Sequence, residues 1–342
     1  MHRQRILFIG GSLNQTTMCH SVARHLESDF ECRFTPYYCD TYWLGKMVEK
    51  GWLDFTVMGG QARRKTEQYL RDHHLPMDYS GQSHDYDLVV TTQDILIQNN
   101  IRNKRIVLIQ EGMTDPETLM YYLVKWLKLP RYLASTSTTG LSNAYDVFCV
   151  ASEGYRDLFI RKGADPERIA VTGIPNFDNA AQYLDNDFPH RGYVMAATSD
   201  ARETLKFDNR RKFLRRCVEI AAGRPLLFKL HPNENAERAT AEIRAVAPGA
   251  MVYTSGNTEQ MIANCDVLIT QYSSVVYIGI ALGKEIHSYF DHDMLYNLAP
   301  LQNGGTSAAN IAAICREILA ESDATLERKR SRGGAVGERM AG

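Results

Sequence analysis

Several features are absent from this sequence of 342 residues, and each absence excludes a class of protein. No apolar run approaches the length of a membrane span, and the run in "MHRQRILFIGGS" is too short for a signal peptide. Charge of one sign is not in excess either, because 39 basic residues stand against 40 acidic ones. No global field would attract nucleic acid, so we expect a soluble cytoplasmic protein without a nucleic-acid partner.

Metal-binding and disulfide patterns are also missing. There is no Cys-x-x-Cys pair and no histidine at the spacing of a metal ligand. "SHDYD" contains Asp85 and Asp87, but they stand apart from any predicted nucleotide site, which favours chemistry without a metal ion. The cysteines are predicted to be reduced and mostly buried: Cys19, Cys32, Cys39, Cys149, Cys217, Cys265 and Cys315.

What is present is an alternation of short apolar runs with segments of helical period, which predicts parallel sheets covered by helices. "RILFIGGS" is the first strand and turn, and Met18, Val22 and Leu26 then recur on one helix face. Further strands are predicted at 87–92, 105–112, 146–152, 168–175, 193–198, 225–232, 250–255, 266–274 and 285–290.

This pattern divides into two doubly wound halves. The polar, proline-containing segment 180–192 has no clear period and is predicted to link them. We expect Rossmann-like domains over residues 1–183 and 190–320, and a disordered, charged, glycine-rich tail over 321–342. Ligands bind at the carboxyl ends of parallel strands, so two such domains facing across a cleft would suit a transfer between two substrates.

One predicted strand ends in "KLHPNEN", which places His231 at such a carboxyl end. A histidine there can donate to a phosphate oxygen and, when protonated, adds charge as a leaving group becomes anionic. Pro232 suits the first position of a following helix, whose free N–H groups would point to the same place. A purely structural histidine is the alternative.

"KLHPNEN", followed later by "CDVLITQYSSVVYIGIALGKEI", resembles the GT-B superfamily of nucleotide-sugar enzymes. The similarity is greatest to CDP-glycerol glycerophosphotransferases, bacterial sialyl- and Kdo-type transferases with a His-Pro motif, and UDP-N-acetylglucosamine 2-epimerases. Residues 144–178 are similar to the stretch that closes the N-terminal domain in those families. The resemblance covers residues 5–315 and implies a GT-B-like α/β fold, with two doubly wound Rossmann-type domains facing across a cleft.

The resemblance implies a donor site in the second half. Ser273 and Ser274 form a small-residue turn whose hydroxyls and N–H groups could hold a phosphate without a metal. The acidic ribose ligand of many relatives has no counterpart in "VVYIGIALGK", which leaves CMP-, CDP- and UDP-linked donors open; the donor is a substrate, and no cofactor is expected. The other donor-side candidates, of which the pair at 257–258 suits helix capping equally well, are Thr198, Ser199, Lys229, Asn257, Thr258, Gln271 and Tyr272.

The first half supplies the acceptor side in this interpretation. Glu111 ends the strand "RIVLIQEG", and the resemblance implies a base here that accepts the proton of an attacking hydroxyl. Gly112 lets a substrate or another segment approach closely. Gly10, Gly11 and Ser12, which lack the GxGxxG spacing of a dinucleotide site, are predicted to line the acceptor side. A capping or ion-paired glutamate is the alternative for Glu111.

"MYYLVKWLKLPRYLA" at 120–134 interleaves aromatic residues with Lys125, Lys128 and Arg131. One interpretation is a surface for a glycan or lipid-linked acceptor near a membrane. The other is a core helix with solvated lysines.

The function expected from these features is that of a metal-independent, inverting glycosyltransferase of surface polysaccharide synthesis. It would move a sugar or phosphosugar group from a nucleotide-activated donor to a hydroxyl of a glycan or lipid-linked acceptor, with peripheral contact at the inner membrane face. A 2-epimerase-like enzyme is the first alternative, because "VTGIPNFD" is similar to an epimerase stretch, although the glutamate-rich turn of epimerases is absent. A non-catalytic nucleotide-sugar-binding protein is the second.

Overall fold

A computed structural model of the protein describes residues 3–54, 56–199, 201–203 and 208–322. The chain divides into two compact units: the first runs to Asp178 and resumes at Gly305, and the second spans Asn179–Gly304. Each unit is built on its own parallel sheet, which confirms the prediction of two Rossmann-like α/β domains. The predicted disordered tail lies, from residue 323 onward, outside the described residues.

Strands and helices alternate along the chain. The strands are β1 (Arg5–Gly10), β2 (Glu31–Pro36), β3 (Leu88–Thr91), β4 (Arg105–Ile109), β5 (Val147–Val150), β6 (Ile169–Val171), β7 (Tyr193–Ala197), β8 (Leu226–Lys229), β9 (Met251–Tyr253), β10 (Cys265–Thr270) and β11 (Glu285–His287). The helices are α1 (Leu13–Ala23), α2 (Tyr42–Glu49), α3 (Gly60–Asp72), α4 (Leu119–Leu127), α5 (Glu153–Lys162), α6 (Arg210–Ala221), α7 (Ala236–Val246), α8 (Thr258–Asn264), α9 (Val276–Ala281), α10 (His292–Asn297) and α11 (Ser307–Ala320). No helix within these described residues is both long and apolar enough to cross a membrane.

The first unit contains a six-stranded parallel sheet in the order β2-β1-β3-β4-β5-β6. Residues 6–9, 88–90 and 106–109 of its inner strands are completely buried, as expected for a parallel sheet with helices on both faces. Because all the strands run in one direction, the loops that follow β1 and β4 leave from the same edge of the sheet. That edge carries the acceptor-side candidates.

Strand β2 was not predicted from the sequence. It lies at the edge of the sheet, and its first half is only partly buried. Glu31 on this strand accepts from Arg5 Nε at 2.8 Å and from Arg33 Nε at 2.8 Å, and these guanidinium groups lower the pKa of the Glu31 carboxyl to about 2. Paired charges replace the apolar run that marks inner strands, so an edge strand of this kind is hard to detect.

Helix α11 belongs to the first unit, whereas the sequence prediction placed residues up to 320 in the second domain. Arg105 Nη1 of β4 donates to the carbonyl oxygens of Ile318 at 2.6 Å and Leu319 at 3.0 Å, and so binds the last turn of α11. At its start, Ser307 N donates to Asp178 Oδ2 at 2.9 Å. The apolar side of α11 is buried, including Ile311 and Cys315. Its amphipathic pattern predicts burial but does not say which core receives it.

The second unit contains a five-stranded parallel sheet in the order β11-β10-β7-β8-β9. One of its cores joins Val194, Phe228 and Ile269 of the three central strands to Phe213 and Leu214 of α6. The predicted linker lies inside this unit, because the unit begins at Asn179 and a short 3-10 helix covers Ala180–Tyr183.

Candidate active site

The carboxylate of Glu111 is the centre of a polar cluster in the first unit. Glu111 is the second residue after the end of β4, and its carboxylate accepts from Gln15 Nε2 at 2.5 Å and from Ser12 Oγ at 3.2 Å. Ser12 is the N-cap of α1, and Gln15 completes the capping box three residues on. The turn after β1 thus presents a hydroxyl and an amide to a carboxylate two strands away in the sheet, at the positive end of a helix.

Gly10 and Gly11 allow this turn to close. A Cβ at Gly10 would lie 2.6 Å from Thr16 Oγ1, and one at Gly11 would lie 2.3 Å from Gln15 Oε1. Gln15 Oε1 instead accepts from the backbone N–H of Gly11 at 2.8 Å. The structure therefore brings four predicted acceptor-side residues (Gly10, Gly11, Ser12 and Glu111) to one place. The fifth, Gly112, follows Glu111, where an added Cβ would contact the Phe177 ring at 3.5 Å.

Burial raises the pKa of the Glu111 carboxyl above its ordinary value. Hydrogen bonds from Gln15, Ser12 and Asn14 favour the ionised form and oppose part of this effect. Each carboxylate oxygen has two lone pairs; Ser12 and Gln15 use one on each oxygen, and with the further bond from Asn14 at least one lone pair is left. A carboxylate with a raised pKa and an unused lone pair has the properties of a general base.

The sequence analysis missed three residues that belong to this cluster or contact it, namely Asn14, Gln15 and Asn176. Asn14 enters it from the first residues of α1. Asn176, in "GIPNFD", donates from Nδ2 to the Asn14 carbonyl oxygen at 3.0 Å. Gln15 could have been found, because "SLNQ" is a capping-box pattern. Nothing in the sequence pattern connects Asn176 to a residue so far away along the chain.

In the second unit, three neighbouring strands end at one polar cluster. Thr198 and Ser199 follow β7, His231 follows β8 and Gln271 follows β10, and β7 lies between the other two strands. Ser199 Oγ donates to Gln271 Oε1 at 2.8 Å, and Thr198 Oγ1 accepts from the backbone N–H of His231 at 3.2 Å. Four predicted donor-side residues are therefore brought together at a carboxyl edge, which is the usual ligand side of such sheets.

Glu234 stabilises the turn at residues 231–234, which we call the His231 turn. Its Oε2 accepts from the His231 backbone N–H at 2.8 Å and from the Thr198 hydroxyl. Its Oε1 lies 2.9 Å from Arg210 Nη2, and both side chains are buried. This buried ion pair fixes the turn to α6, and neither partner was predicted. The motif "HPNE" shows that Glu234 lies three residues after His231. Arg210, in contrast, is one of several basic residues in "NRRKFLRR", and nothing in the sequence distinguishes it as the partner of Glu234.

Pro232 does not occupy the first position of a helix, so that prediction is wrong. Residues 231–234 form a turn in which Glu234 N donates to the His231 carbonyl oxygen at 3.0 Å. Helix α7 starts only at Ala236, and its N-cap is Asn235, which accepts from Arg238 N. The side chain of Asn235 satisfies the helix start, so the proline serves the turn instead.

Three further donor-side candidates, Lys229, Asn257 and Thr258, are explained by contacts within the protein. Lys229 is buried, its Nζ donates to the Leu230 carbonyl oxygen at 2.8 Å, and burial lowers its pKa. Asn257 caps α8, where its side chain accepts from Gln260 N at 2.9 Å, and Thr258 is the first residue of that helix. These contacts agree with the capping alternative for this pair.

The serine turn lies between β10 and α9. Ser273 and Ser274 are half-buried, and their carbonyl oxygens accept from the backbone N–H groups of Val276 at 3.3 Å and Tyr277 at 3.1 Å. The neighbouring Tyr272 is largely exposed, and its ring packs edge-on against Phe290 with 5.0 Å between centroids. The serine hydroxyls are the polar groups that this turn offers to a ligand.

The other predictions about chemistry concern metals and thiols. Asp85 pairs with Lys104, and Asp87 Oδ2 accepts from Arg5 N at 2.8 Å, so both lie at the amino ends of strands. Among the described residues, no group of three or more His, Cys, Asp or Glu side chains is placed to hold a metal ion. All the cysteines are free thiols, and most are buried; burial raises the pKa of Cys149, for example, to about 12.

Solved structures that are similar to this chain include nucleotide-sugar enzymes of the GT-B type. UDP-GlcNAc 2-epimerase from Neisseria meningitidis, bound to UDP-GlcNAc, has a TM-score of 0.55 at 11% identity, over 92% of this chain and 100% of that one. A variant of the wall teichoic acid polymerase TagF, soaked with CDPG, has a TM-score of 0.52 at 12% identity, over 93% and 89%. HepE from Anabaena, in complex with UDP and glucose, has a TM-score of 0.51 at 12% identity, over 99% and 100%.

At these identities the likeness shows the fold alone. No family model matches the chain, and no curated protein sequence matches it. The chain thus has a GT-B-type fold with two Rossmann-like α/β domains, as the resemblance implied.

Proposed function

We propose that this chain of GT-B-type fold is an inverting glycosyltransferase of surface polysaccharide synthesis. It would move a sugar or phosphosugar group from a CMP-, CDP- or UDP-linked donor to a hydroxyl of a glycan or lipid-linked acceptor, the latter met at a membrane surface. The observation that carries the proposal is the Glu111 carboxylate, held by Ser12 and Gln15 with a raised pKa.

In the proposed reaction, Glu111 takes the proton of the acceptor hydroxyl while that oxygen attacks the anomeric carbon. The bond from this carbon to the donor phosphate oxygen breaks, and the nucleotide leaves with the electron pair. Ser12 and Gln15 each donate to one carboxylate oxygen, which fixes its direction and leaves a lone pair for the proton. A single displacement of this kind inverts the anomeric centre.

The His231 turn is assigned to the donor phosphate. Asn233 N donates to His231 Nδ1 at 3.2 Å, which leaves the hydrogen of the neutral ring on Nε2. That N–H would donate to a phosphate oxygen as negative charge develops on the leaving group. Thr198, Ser199, Gln271 and the hydroxyls of the serine turn would complete the site.

We propose that neither a resident metal ion nor a cofactor takes part. The candidate pair Asp85 and Asp87 lies at the amino end of β3, whereas ligands of parallel sheets bind at the carboxyl end. Hydroxyl and N–H groups of the second unit would instead stabilise the phosphate charge by hydrogen bonds.

A 2-epimerase is the second candidate, because one observation favours it. Asn176 belongs to the "VTGIPNFD" stretch that is similar to epimerases, and it contacts Asn14 beside Glu111. Among the residues that the structure describes, Glu111 is the one carboxylate in the contacts of this cluster, whereas an epimerase needs acid and base groups on both faces of the sugar ring. A non-catalytic nucleotide-sugar-binding protein is the third candidate.

Product analysis separates the three candidates. The protein would be incubated with CMP-, CDP- and UDP-linked sugars, with and without a panel of oligosaccharide and lipid-phosphate-linked acceptors, and nucleotides and sugars would be separated by chromatography. A transferase releases nucleotide in proportion to acceptor, an epimerase converts the intact donor into a second sugar nucleotide, and a binding protein leaves the donor unchanged.

Glu111→Gln tests the proposed base. Gln keeps the size and can still accept from Gln15, while the Ser12 hydroxyl can turn to accept, so the cluster should stay intact. Turnover should fall by roughly two to four orders of magnitude while donor affinity stays the same. Glu49→Gln, at an exposed glutamate of the same unit, is the matched control. Full activity in the Glu111→Gln protein would show that another group acts as the base.

A further inference from the structure

Helix α4 and the turn after it expose an unusual amount of apolar surface. Trp126 is 72% exposed, Leu119 73% and Leu127 64%, although each of these side chains would normally be at least partly covered. The same segment also exposes Met120, Tyr122, Leu129, Tyr132 and Leu133. We call these eight residues the α4 patch.

The α4 patch is not needed to hold the helix in place. The inner side of α4 is anchored by Tyr121 and Val124, which form a small core with Ala134 and Leu141. Lys162 Nζ lies 5.2 Å from the centre of the Tyr121 ring, which adds a cation–π contact. Arg131 pairs with the buried Asp94 at 3.1 Å and fixes the following 3-10 helix, Arg131–Thr138. Packing therefore explains the inner side of the segment and leaves the outer side without a structural role.

The charges inside the segment 118–135 are positive, and one acidic side chain stands beside it: Glu117 Oε2 accepts from the Tyr122 hydroxyl at 3.1 Å. Residues 118–135 contain Lys125, Lys128 and Arg131 and no acidic residue. Lys125 and Lys128 are exposed and flank Trp126 and Leu127 directly. Tryptophan, tyrosine and lysine beside exposed leucines are the side chains that bind the interface of an anionic bilayer.

A second copy of this chain fits the α4 patch less well. A symmetric dimer centred on Trp126 and Leu127 would bring Lys125 and Lys128 of one copy close to the same residues of the other, while Glu117 stands at the opposite, amino-terminal end of α4. The central part of a protein interface is also depleted in lysine. An anionic membrane surface, by contrast, favours the apolar and the basic side chains together.

We propose that the α4 patch is a docking surface for anionic phospholipid bilayers. Trp126, Leu127 and Leu119 enter the headgroup region, and Lys125 and Lys128 lie against the lipid phosphates. This binding does not depend on the reaction proposed above, so the two can fail separately.

Vesicle sedimentation tests the proposal. The wild-type protein should sediment with vesicles of phosphatidylcholine containing phosphatidylglycerol, and much less with phosphatidylcholine alone. Lys125→Gln with Lys128→Gln should weaken the partition coefficient about thirtyfold, since each basic residue contributes roughly fivefold at such a surface. Trp126→Gln with Leu127→Gln should weaken it by about tenfold or more, because apolar area is lost.

The matched control removes exposed aromatic surface elsewhere in the same unit. Tyr42 and Trp43 of α2 are 69% and 75% exposed, and Tyr42→Ser with Trp43→Ser should leave vesicle binding unchanged. The melting temperature of every variant should stay close to that of the wild type, because the changed side chains are exposed; Lys125→Gln also removes the hydrogen bond from Lys125 Nζ to the Lys162 carbonyl oxygen at 3.1 Å, so Lys128→Gln alone serves as the variant without that loss. Equal losses in the control and in the α4 variants, or no binding of the wild type to either vesicle, would overturn the proposal.

Trp126 can also report its own insertion. With Trp43→Phe and Trp52→Phe, Trp126 remains the single tryptophan of the chain. Its emission should shift to shorter wavelength and be quenched by brominated lipids when the anionic vesicles are added. Unchanged emission, or a dimer in sedimentation velocity that the Trp126→Gln and Leu127→Gln changes dissociate without any vesicle binding, would assign the α4 patch to a second copy instead.

Discussion

The buried ion pair behind the His231 turn allows a stability prediction with a worked magnitude. Glu234→Gln keeps the size of the side chain and its ability to accept from the His231 backbone N–H, but it removes the charge opposite Arg210. Breaking a buried pair by neutralising one partner costs about 3–5 kcal/mol, because the other charge stays buried. Glu242 Oε2 remains 3.8 Å from Arg210 Nε and compensates in part, so we expect a loss of about 3 kcal/mol.

A double-mutant cycle separates the ion pair from packing. Arg210→Met alone leaves the Glu234 carboxylate buried without its partner, whereas Arg210→Met combined with Glu234→Gln removes both charges. Replacing a whole buried pair by neutral groups is often nearly neutral for stability. The double variant should therefore be more stable than either single variant, which requires a coupling energy of about 3 kcal/mol or more.

Urea denaturation and thermal melting, followed by circular dichroism, would measure these differences. A loss of about 3 kcal/mol lowers the melting temperature of a domain of about 150–250 residues by roughly 6–12 °C. The reasoning fails if Glu234→Gln costs less than about 1 kcal/mol, or if the two single effects simply add.

Four further predictions concern the chemistry. His231→Ala should leave the melting temperature nearly unchanged and lower donor turnover by about a hundredfold or more in a nucleotide-release assay; a normal rate would make His231 structural. Ser273→Ala with Ser274→Ala should raise the Kd for the bound nucleotide more than it lowers the melting temperature, and an unchanged Kd for CMP, CDP, UDP and GDP would remove the turn from the site. Activity should survive EDTA, whereas a complete loss that magnesium reverses would show that the reaction requires a cation. Because burial raises the pKa of the Glu111 carboxyl, its ionised form costs stability as the pH rises above the ordinary carboxylate range, so Glu111→Gln should melt higher than the wild type at pH 8 and equally at pH 4; a lower melting temperature at pH 8 would contradict the raised pKa.

The inner part of the fold could be predicted because burial on both faces leaves a clear pattern. Strands such as β4 and β10 are continuous apolar runs that end at turn residues. Strand β2 was missed because its edge position permits the charged pairs of Glu31. Helix α11 was given to the wrong unit because its apolar stripe fits either core, and only contacts such as Arg105 with Leu319 decide between them.

A site residue could be predicted where one short segment contains both the residue and the strand that positions it. Glu111 and His231 are each the second residue after the end of a buried strand, so their placement at a carboxyl edge follows from the fold. Their supports come from elsewhere in the chain: Gln15 for Glu111, and Arg210 through Glu234 for His231. Such long-range pairs leave no local pattern, and Pro232 shows that even an adjacent residue can be assigned to the wrong structure.

The return of the chain to the first unit at Gly305 affects the order of synthesis. Strands β1 to β6 emerge early from the ribosome, but the helix that covers part of their sheet is α11, which emerges only after the whole second unit. Until α11 is made, the first unit lacks the contacts that Arg105 of β4 forms with Ile318 and Leu319, whereas the second unit, as one continuous segment, can fold as soon as it is made. A chain cut after Gly304 should consequently keep a folded second unit and lose the first to aggregation, and the continuous segment Asn179–Gly304 is the part of this protein best suited to expression alone.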